Sequence, residues 1–239
     1  MKRIFFSLAL LLAVTTLAAQ TNMTAREAAV KIADRILAST TYEFKNTKTG
    51  ETYKSVKKLP LDMNVKVACK YNNWHYTNGV TNMALMELGD KLADKKYEKY
   101  VLKNMNFVFN EGNLEFFRKQ YDEAFKQDGW NAVRKLSWHM IFRGKRLDDN
   151  GPMGASLIEL QMRYPNQSFL DYVNETAEHL NYGEPRLVDG TIARIWPHVN
   201  TIWADDAFMA ISFLARMGKM TGDEKYFNDA ANQVLNYTR

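Results

Sequence analysis

Two pairs of adjacent aspartates are the residues of this sequence best suited to chemistry. Asp148 and Asp149 form one pair, and Asp205 and Asp206 form the other. Close carboxylates suit general acid/base work, because crowding raises the pKa of one and leaves the other ionised. Aspartate is also a preferred N-cap residue, so one member of each pair could serve only to cap a helix. A cap needs a single aspartate, and the doubling therefore favours a site.

The two pairs stand at the same distance from a following aromatic residue. Asp148 precedes Phe169 by 21 positions, and Asp205 precedes Tyr226 by 21 positions. In a third segment, Tyr76 stands 21 positions before another tyrosine. The sequence therefore contains an internal repeat in which the acids and Tyr76 hold one position.

Each repeat reads as an apolar helix, a short polar turn and an amphipathic helix. Segments 80–88, 156–162 and 207–217 are apolar on most of their circumference, which predicts buried inner helices. The following helices carry an apolar residue at every fourth position, which predicts one buried face. These rows are Tyr97, Val101 and Met105; Phe169, Val173 and Ala177; and Tyr226, Ala230 and Val234.

This alternation predicts an all-α fold with two layers of helices, either a solenoid or a closed α/α toroid. Inner helices of successive hairpins should run in the same direction, so their N-terminal ends and the acids would gather at one mouth. Only segments 52–57 and 65–70 resemble strands, and both could be loop. No Pro-, Gly- or Ser-rich linker interrupts the chain, so residues 20–239 are predicted to form one domain.

Aromatic and histidine residues near the predicted inner-helix starts are further candidates for substrate binding. Trp74, Tyr76 and Trp203 are expected at the mouth where the inner helices start. Trp196 and Trp203 could stack on a sugar ring, although large aromatic residues are more often core. His198 could contact a substrate or could be a loop histidine with a structural partner. His139, among apolar residues, is predicted to be structural.

Composition excludes several classes of function. The chain has 239 residues, of which 46% are hydrophobic, so it can bury a sizeable core. Its 32 basic residues against 27 acidic ones are too weak a bias to indicate a nucleic-acid partner. Cys69 is the only cysteine, and the four histidines lack metal-ligand spacing, so we expect no disulfide, no metal and no cofactor.

Residues 1–19 have the pattern of a signal peptide. Lys2 and Arg3 precede an apolar run over 4–14, and small residues precede Gln20, the expected mature N-terminus. The pattern predicts export, to the periplasm or the extracellular space, with no membrane association after cleavage. A retained anchor is the minor alternative, because the apolar run is short for a bilayer.

Three segments that contain these candidates resemble the unsaturated rhamnogalacturonyl hydrolases of glycoside hydrolase family 105, which are related to the family 88 unsaturated glucuronyl hydrolases. Residues 73–80 read NWHYTNGV and are similar to the family's W-x-Y-x-x-G-V segment. Residues 147–155 read LDDNGPMGA and are similar to L-D-D-x-G-x-M-G-A. Residues 203–215 read WADDAFMAISFLA and are similar to W-x-D-x-x-x-M-x-x-x-F-L-A. The resemblance extends over roughly residues 70–239.

The resemblance implies an (α/α)6 toroid that removes a 4,5-unsaturated galacturonosyl residue from the non-reducing end of rhamnogalacturonan lyase products. In this reaction an aspartate protonates the double bond and activates water, and the hemiketal that forms then opens. The resemblance places the acid/base on Asp205 and a second essential aspartate on Asp148 or Asp149, of which the repeat register favours Asp148. Arg194 takes the place of a histidine-bearing segment and could pair with a uronate carboxylate.

Family members continue through further hairpins, whereas this sequence stops at Arg239 within a predicted outer helix. We therefore expect an incomplete toroid. The alternatives are an unsaturated glucuronyl hydrolase acting on glycosaminoglycan fragments, or a truncated remnant that binds carbohydrate without catalysis. A generic helical-repeat interaction protein, in which the aspartates only cap helices, is the third alternative. The sequence leaves the oligomeric state open.

Overall fold

Helices dominate the structure, as the sequence predicts. A computed structural model describes residues 23–136, 138–143 and 146–238. The chain divides into a unit that ends at Ile36 and a larger unit from Leu37 onward, and the larger unit contains the hairpins. The helices are α1 (Ala25–Ser39), α2 (Tyr76–Leu92), α3 (Lys96–Val108), α4 (Glu111–Val133), α5 (Met140–Arg143), α6 (Leu147–Arg163), α7 (Gln167–Tyr182), α8 (Ala204–Thr221) and α9 (Glu224–Tyr237).

The predicted signal peptide occupies the N-terminal segment. Residues 1–19 and the expected mature start at Gln20 lie outside the described residues. Within the described ranges, no helix combines the length and the apolar character that a membrane crossing requires.

Helices α2, α6 and α8 form an inner layer in which α6 lies between the other two. They coincide with the three segments predicted to be apolar nearly all round, and α6 is the most completely buried. Gly79 packs against Pro152 near the starts of α2 and α6, and Arg163 pairs with Asp90 near their ends. The inner helices therefore run in the same direction, as the repeat predicts.

Helices α3, α7 and α9 form the outer layer, and each packs on the inner helix that precedes it. Their predicted apolar rows are buried except at Val234, which is exposed. Val80 and Phe208 on the inner helices are exposed as well, so predicted burial is wrong at these three positions. Helices α2 and α8 end the row of inner helices, and each has one side without an inner neighbour among the described residues.

Capping residues close the hairpins at the three predicted turns. Ala93 and Gly222 adopt the left-handed backbone conformation just after α2 and α8. The side chains of Asn166 and Asp223 accept hydrogen bonds from backbone N–H groups at the starts of α7 and α9. These bonds satisfy donors that have no partner within a helix, so each turn reverses the chain within a few residues.

A small antiparallel sheet precedes the hairpins, in the order β2–β1–β3. Its strands are β1 (Phe44–Asn46), β2 (Thr52–Tyr53) and β3 (Val65–Val67). Segments 52–57 and 65–70, which the sequence analysis left open between strand and loop, are strands only over their first residues. The sequence did not predict β1. Strands of two or three residues are too short for their alternation to be recognised in a sequence.

Candidate active site

Two glycines bring the starts of the inner helices into close contact. A Cβ atom on Gly79 would lie 2.4 Å from the backbone carbon of Pro152, and one on Gly151 would lie 2.3 Å from the carbonyl oxygen of Met209. Only glycine permits such an approach between helix backbones. Both glycines belong to the segments singled out in the sequence, and they explain physically why those segments need glycine.

The aspartate pairs occupy the second and third positions of α6 and α8. The N-cap residues are Arg146 and Trp203 instead, and neither makes a side-chain capping hydrogen bond. The four carboxylates are therefore not N-caps, although they lie in the first turns where the helix macrodipole favours negative charge.

Arg194 joins the two aspartate pairs. Its guanidinium donates hydrogen bonds to both oxygens of Asp206, at 2.6 and 2.7 Å, and to Asp148 at 2.9 Å. Asp205 lies 4.0 Å away, and the guanidinium also lies over the Trp203 ring, 4.2 Å from its centroid. This bridge holds the N-terminal ends of α6 and α8 in one site. The Nε and Nη2 groups of Arg194 face protein carboxylates, so the residue positions the two helix starts. Its pairing with a uronate carboxylate stays a prediction.

The two members of each pair differ in burial. Asp205 is 56% exposed and accepts no hydrogen bond within the described part of the chain. Asp206 beside it is buried, and burial raises its pKa although hydrogen bonds from Arg194 act in the opposite direction. In the other pair Asp148 is partly exposed, whereas Asp149 is buried with one carboxylate oxygen lacking a hydrogen-bond partner. Burial raises the pKa of Asp149 to about 6.

A cleft of about 710 Å³ opens over the starts of α6 and α8. Asp148, Arg194 and Asp206 line it, and so do His179 near the end of α7 and Glu184 just after that helix. The Glu184 carboxyl lies 2.7 Å from Nε2 of His179. Burial, and then the charges of Asp206 and Asp148, raise the pKa of Glu184 to about 7. The cleft therefore contains a carboxyl group that can hold a proton near neutral pH.

The sequence analysis missed Glu184 and His179. Neither lies in the aspartate repeat, and a His and a Glu five residues apart across a helix end is too common a pattern to indicate a site. Their place in the cleft depends on how α7 ends against the inner layer, which only the structure shows.

The remaining predicted residues are not brought together in the cleft. Trp74 is completely buried against aromatic neighbours such as Phe109 and Tyr172, so its predicted contact with substrate is wrong. Tyr76 is exposed at the start of α2, with its ring against that of His75. Its place on α2 is one helix away from the Arg194 bridge.

The loop before α8 contains two more predicted residues. His198 is exposed and does not line the cleft, and its backbone carbonyl accepts a hydrogen bond from Thr201. Trp203 is 42% exposed and contacts Arg194, so it stands next to the acids with part of its ring accessible. His139 is buried, as predicted, and its Nδ1 lies 2.9 Å from a backbone carbonyl.

Together these groups can perform acid/base chemistry on a polar ligand. Asp205 is exposed beside the ion pair between Arg194 and the buried Asp206, although it does not line the cleft. The cleft itself contains Glu184, whose pKa is raised to about 7. Water can enter, because the cleft is open to solvent. Among the described residues no cluster of histidine, cysteine and acidic side chains has the arrangement of a metal site.

Comparison with known proteins places this arrangement in a family. Two solved structures have the same fold, each described as a possible member of the GH105 family. The protein from Salmonella enterica subsp. enterica serovar Paratyphi A str. ATCC 9150 superposes with a TM-score of 0.52 at 15% identity, over 91% of this chain and 49% of its own. The protein from Klebsiella pneumoniae subsp. pneumoniae MGH 78578 gives a TM-score of 0.52 at 14% identity, over 90% of this chain and 48% of its own.

At these identities the similarity establishes the fold alone, and the chain spans about half the length of either structure. The predicted all-α toroid fold is confirmed over that half. Comparison with curated proteins gives no match. The model of Glycosyl Hydrolase Family 88 matches residues 54–239, which include every helix from α2 to α9. The chain therefore belongs to Glycosyl Hydrolase Family 88.

Proposed function

We propose that this protein is a hydrolase that removes a 4,5-unsaturated galacturonosyl residue from rhamnogalacturonan lyase products. The reaction is hydration of the vinyl ether double bond, followed by opening of the hemiketal. Family membership supports a glycoside hydrolase, and the resemblance of the three sequence segments supports this substrate. The observation that carries the proposal is the Arg194 bridge, which collects aspartates from two repeats at one solvent-filled cleft.

Asp205 is the proposed acid/base. It is the most accessible of the four paired carboxyl groups, and no hydrogen bond within the described residues holds it away from a ligand. Arg194 and the buried Asp206 fix the first turn of α8, so the Asp205 side chain starts from a defined place. A positioned carboxyl group of this kind contributes about 10²- to 10⁴-fold to a rate through proton transfer.

Asp148 is the proposed second essential aspartate. It lines the cleft and shares Arg194 with Asp206, whereas the neighbouring Asp149 does not line the cleft. Asp148 is partly exposed and Asp149 is buried, and this difference supports Asp148, which the repeat register also favours. Asp149 is proposed to act from behind it, as a carboxyl group that is protonated below about pH 6.

The test follows the ultraviolet absorbance of the conjugated double bond in an unsaturated rhamnogalacturonan disaccharide. We expect a steady loss with the wild-type protein and at least a 10³-fold slower loss with Asp205→Asn. Asp122→Asn is the matched control, because Asp122 is exposed on α4 and does not line the cleft. Full activity of Asp205→Asn would overturn the assignment of the acid/base.

A second substrate separates the nearest alternative. Turnover of an unsaturated glucuronyl disaccharide from chondroitin, with none of the rhamnogalacturonan product, would assign the glycosaminoglycan specificity instead. Binding of either sugar without turnover would indicate a carbohydrate-binding protein that lacks catalysis.

We also propose that the protein is exported, because residues 1–19 have the signal-peptide pattern. Expression of the full chain in a Gram-negative host, followed by N-terminal sequencing of the protein from separated fractions, tests this. A mature start at Gln20 in the periplasm or medium is expected. An intact leader in the cytoplasm would contradict export.

A further inference from the structure

One wall of the cleft carries two arginines and a tryptophan that the proposed acid/base chemistry does not use. Trp130 follows a break in α4, where Asp128 and Gly129 leave the helical conformation. Arg143 ends α5, and Arg146 is the N-cap residue of α6. All three side chains line the cleft.

These two arginines differ in how they are paired from three other arginines of the hairpins. Arg163, Arg186 and Arg194 each donate at least two hydrogen bonds of 3.0 Å or less to carboxylates. Arg143 and Arg146 approach carboxylates only to 3.7 Å, and neither donates a hydrogen bond to one among the described residues. Their guanidinium groups therefore keep free donors in the cleft.

The surroundings of these donors favour an anion rather than water alone. The side chains of Arg143 and Arg146 are only 25% and 34% exposed, so their charges are partly desolvated. A partly desolvated guanidinium gains most from a carboxylate or a related oxyanion, which can accept two parallel hydrogen bonds. The Arg143 guanidinium lies over the Trp130 ring, 5.0 Å from its centroid, so the ring helps to orient it.

Trp130 adds a surface that suits a sugar. Its side chain is 46% exposed, and it lines the same cleft as the arginines. Sugar rings present apolar C–H faces together with polar edges, so an aromatic ring beside cationic donors fits a sugar that bears an acid group.

We propose that Arg143 and Arg146, with Trp130 beside them, form the subsite that binds the carboxylate of a uronosyl ring in this cleft. The subsite takes the role that the sequence resemblance suggested for Arg194. It rests on the proposed function for its ligand class and deepens it, since it names the groups that distinguish acidic from neutral sugars. The arginines hold the ring through its acid group while the aspartates at the starts of α6 and α8 face its other atoms.

The test compares an acidic sugar with its neutral counterpart. Binding of a galacturonate-terminated disaccharide and of its methyl ester is measured by calorimetry on the full chain, for wild type and for Arg143→Gln/Arg146→Gln. We expect wild type to bind the acid at least tenfold more tightly than the ester, and the double variant to lose that preference with the ester unaffected. Arg134→Gln is the control for a single lost arginine charge, because Arg134 is exposed and does not line the cleft.

Turnover measurements separate this proposal from the proposed function. If the unsaturated disaccharide reacts and the double variant raises KM at least tenfold, both stand. If the wild type has no activity but the acid preference depends on the two arginines, the subsite stands and the reaction fails. Turnover with an unchanged KM and an unchanged preference overturns the subsite alone.

Two further outcomes also decide. Wild type that binds acid and ester equally, or binds neither at millimolar concentration, overturns the subsite. If the double variant fails to fold by circular dichroism, Arg143→Lys and Arg146→Lys replace it, because lysine keeps the charge but loses the paired donors. A sulfated neutral sugar, which has no carboxyl group, that competes more strongly than the galacturonate sugar would contradict the assignment to a carboxylate.

Discussion

Each end of the inner helices has one arginine that is shared among carboxylates, but only the arginine at the N-terminal ends lines a cleft. At the N-terminal ends one guanidinium, that of Arg194, is shared by Asp148 and Asp206, and a third carboxylate stands 4.0 Å away. At the C-terminal ends Arg163 donates one hydrogen bond to Glu98 and two to Asp90. The first end gathers acids around a cation in a cleft, and the second distributes one cation between two helices and stabilises their contact.

The same contrast is visible in the pKa values. Burial raises the pKa of Asp149 and of Asp206 at the N-terminal end. At the C-terminal end, a hydrogen bond from Tyr164 and then one from Arg163 lower the pKa of Glu98 although it too is largely buried. Desolvation outweighs the hydrogen bonds from Arg194 at Asp206, whereas the hydrogen bonds from Tyr164 and Arg163 outweigh desolvation at Glu98. Among the described residues, burial thus raises the pKa of Asp149 and Asp206 at the N-terminal ends, and hydrogen bonding lowers the pKa of Asp90 and Glu98 at the C-terminal ends.

Gly151→Ala should have the largest effect on the N-terminal end. The new Cβ would lie 2.3 Å from the carbonyl oxygen of Met209, so α6 and α8 must separate. We expect the free energy of unfolding to fall by about 3 kcal/mol, since overpacking against backbone has no flexible side chain to yield. Gly112→Ala is the control, because its Cβ would meet only side-chain atoms, a methyl group of Val56 at 3.4 Å and Oδ1 of Asn110 at 3.5 Å. Equal urea midpoints for the two variants would contradict the close contact.

Glu98→Gln should have a nearly comparable effect on the C-terminal end. Glu98 is 10% exposed and accepts hydrogen bonds from Tyr164 at 2.7 Å and from Arg163 at 3.0 Å. Removing its charge leaves a partly buried arginine underpaired, which should cost about 3 kcal/mol at pH 7. Because the folded-state pKa is lowered, this stability is present above the unfolded value of 4.5 and is lost as pH falls below it.

Urea unfolding at pH 7 and pH 3 measures this difference. Glu87→Gln, at an exposed position of α2, should leave stability unchanged at both pH values. A Glu98→Gln deficit that persists undiminished at pH 3 would show that the loss comes from packing rather than from charge.

Much of the fold could be predicted from the sequence, because the hairpins repeat. The 21-residue spacing from Asp148 to Phe169 and from Asp205 to Tyr226 located the starts of α6 and α8 to within a residue. Local periodicity carried this information, since buried and half-buried helices have different patterns. The predicted burial of Val234 was wrong, because a sequence pattern does not reveal which helix faces lack a neighbour.

The candidate site could be predicted only in part. The spacing identified the aspartates, but it could not rank Asp205 as exposed and Asp206 as buried, because adjacent helical positions differ in direction by about 100°. The predicted contact of Trp74 with substrate was wrong for a related reason, because a tryptophan beside a helix start can face the core or the cleft. The arginines of the cleft wall were missed, since Arg143 and Arg146 come from a short helix and an N-cap with no repeat counterpart.

Asp149→Asn should increase stability, unlike the preceding changes. Because burial raises the folded-state pKa to about 6, the stability that Asp149 contributes is present below the unfolded value of 3.8 and is lost as pH rises through about 6. Asparagine carries no such charge, so the variant should exceed wild type by about 2 kcal/mol at pH 8 and match it at pH 4. Denaturant unfolding at both pH values measures this, with Asp122→Asn expected to follow wild type. A loss of stability at pH 8 would indicate that Asp149 is ionised and paired with Arg143.

Asp90→Asn should have the smallest effect and completes the comparison at the C-terminal end. Asp90 accepts two hydrogen bonds from the same Arg163 that contacts Glu98, at 2.7 and 3.0 Å, but it is 57% exposed. Solvent screens an exposed pair, so the substitution should cost only about 0.5 kcal/mol, and the difference should vanish near 1 M salt. The Glu98→Gln deficit should largely survive that salt, because burial protects its charge from screening. If both deficits disappear together, pairing with Arg163 rather than burial sets the contribution of each acid, and the distinction drawn between the two ends would lose its physical basis.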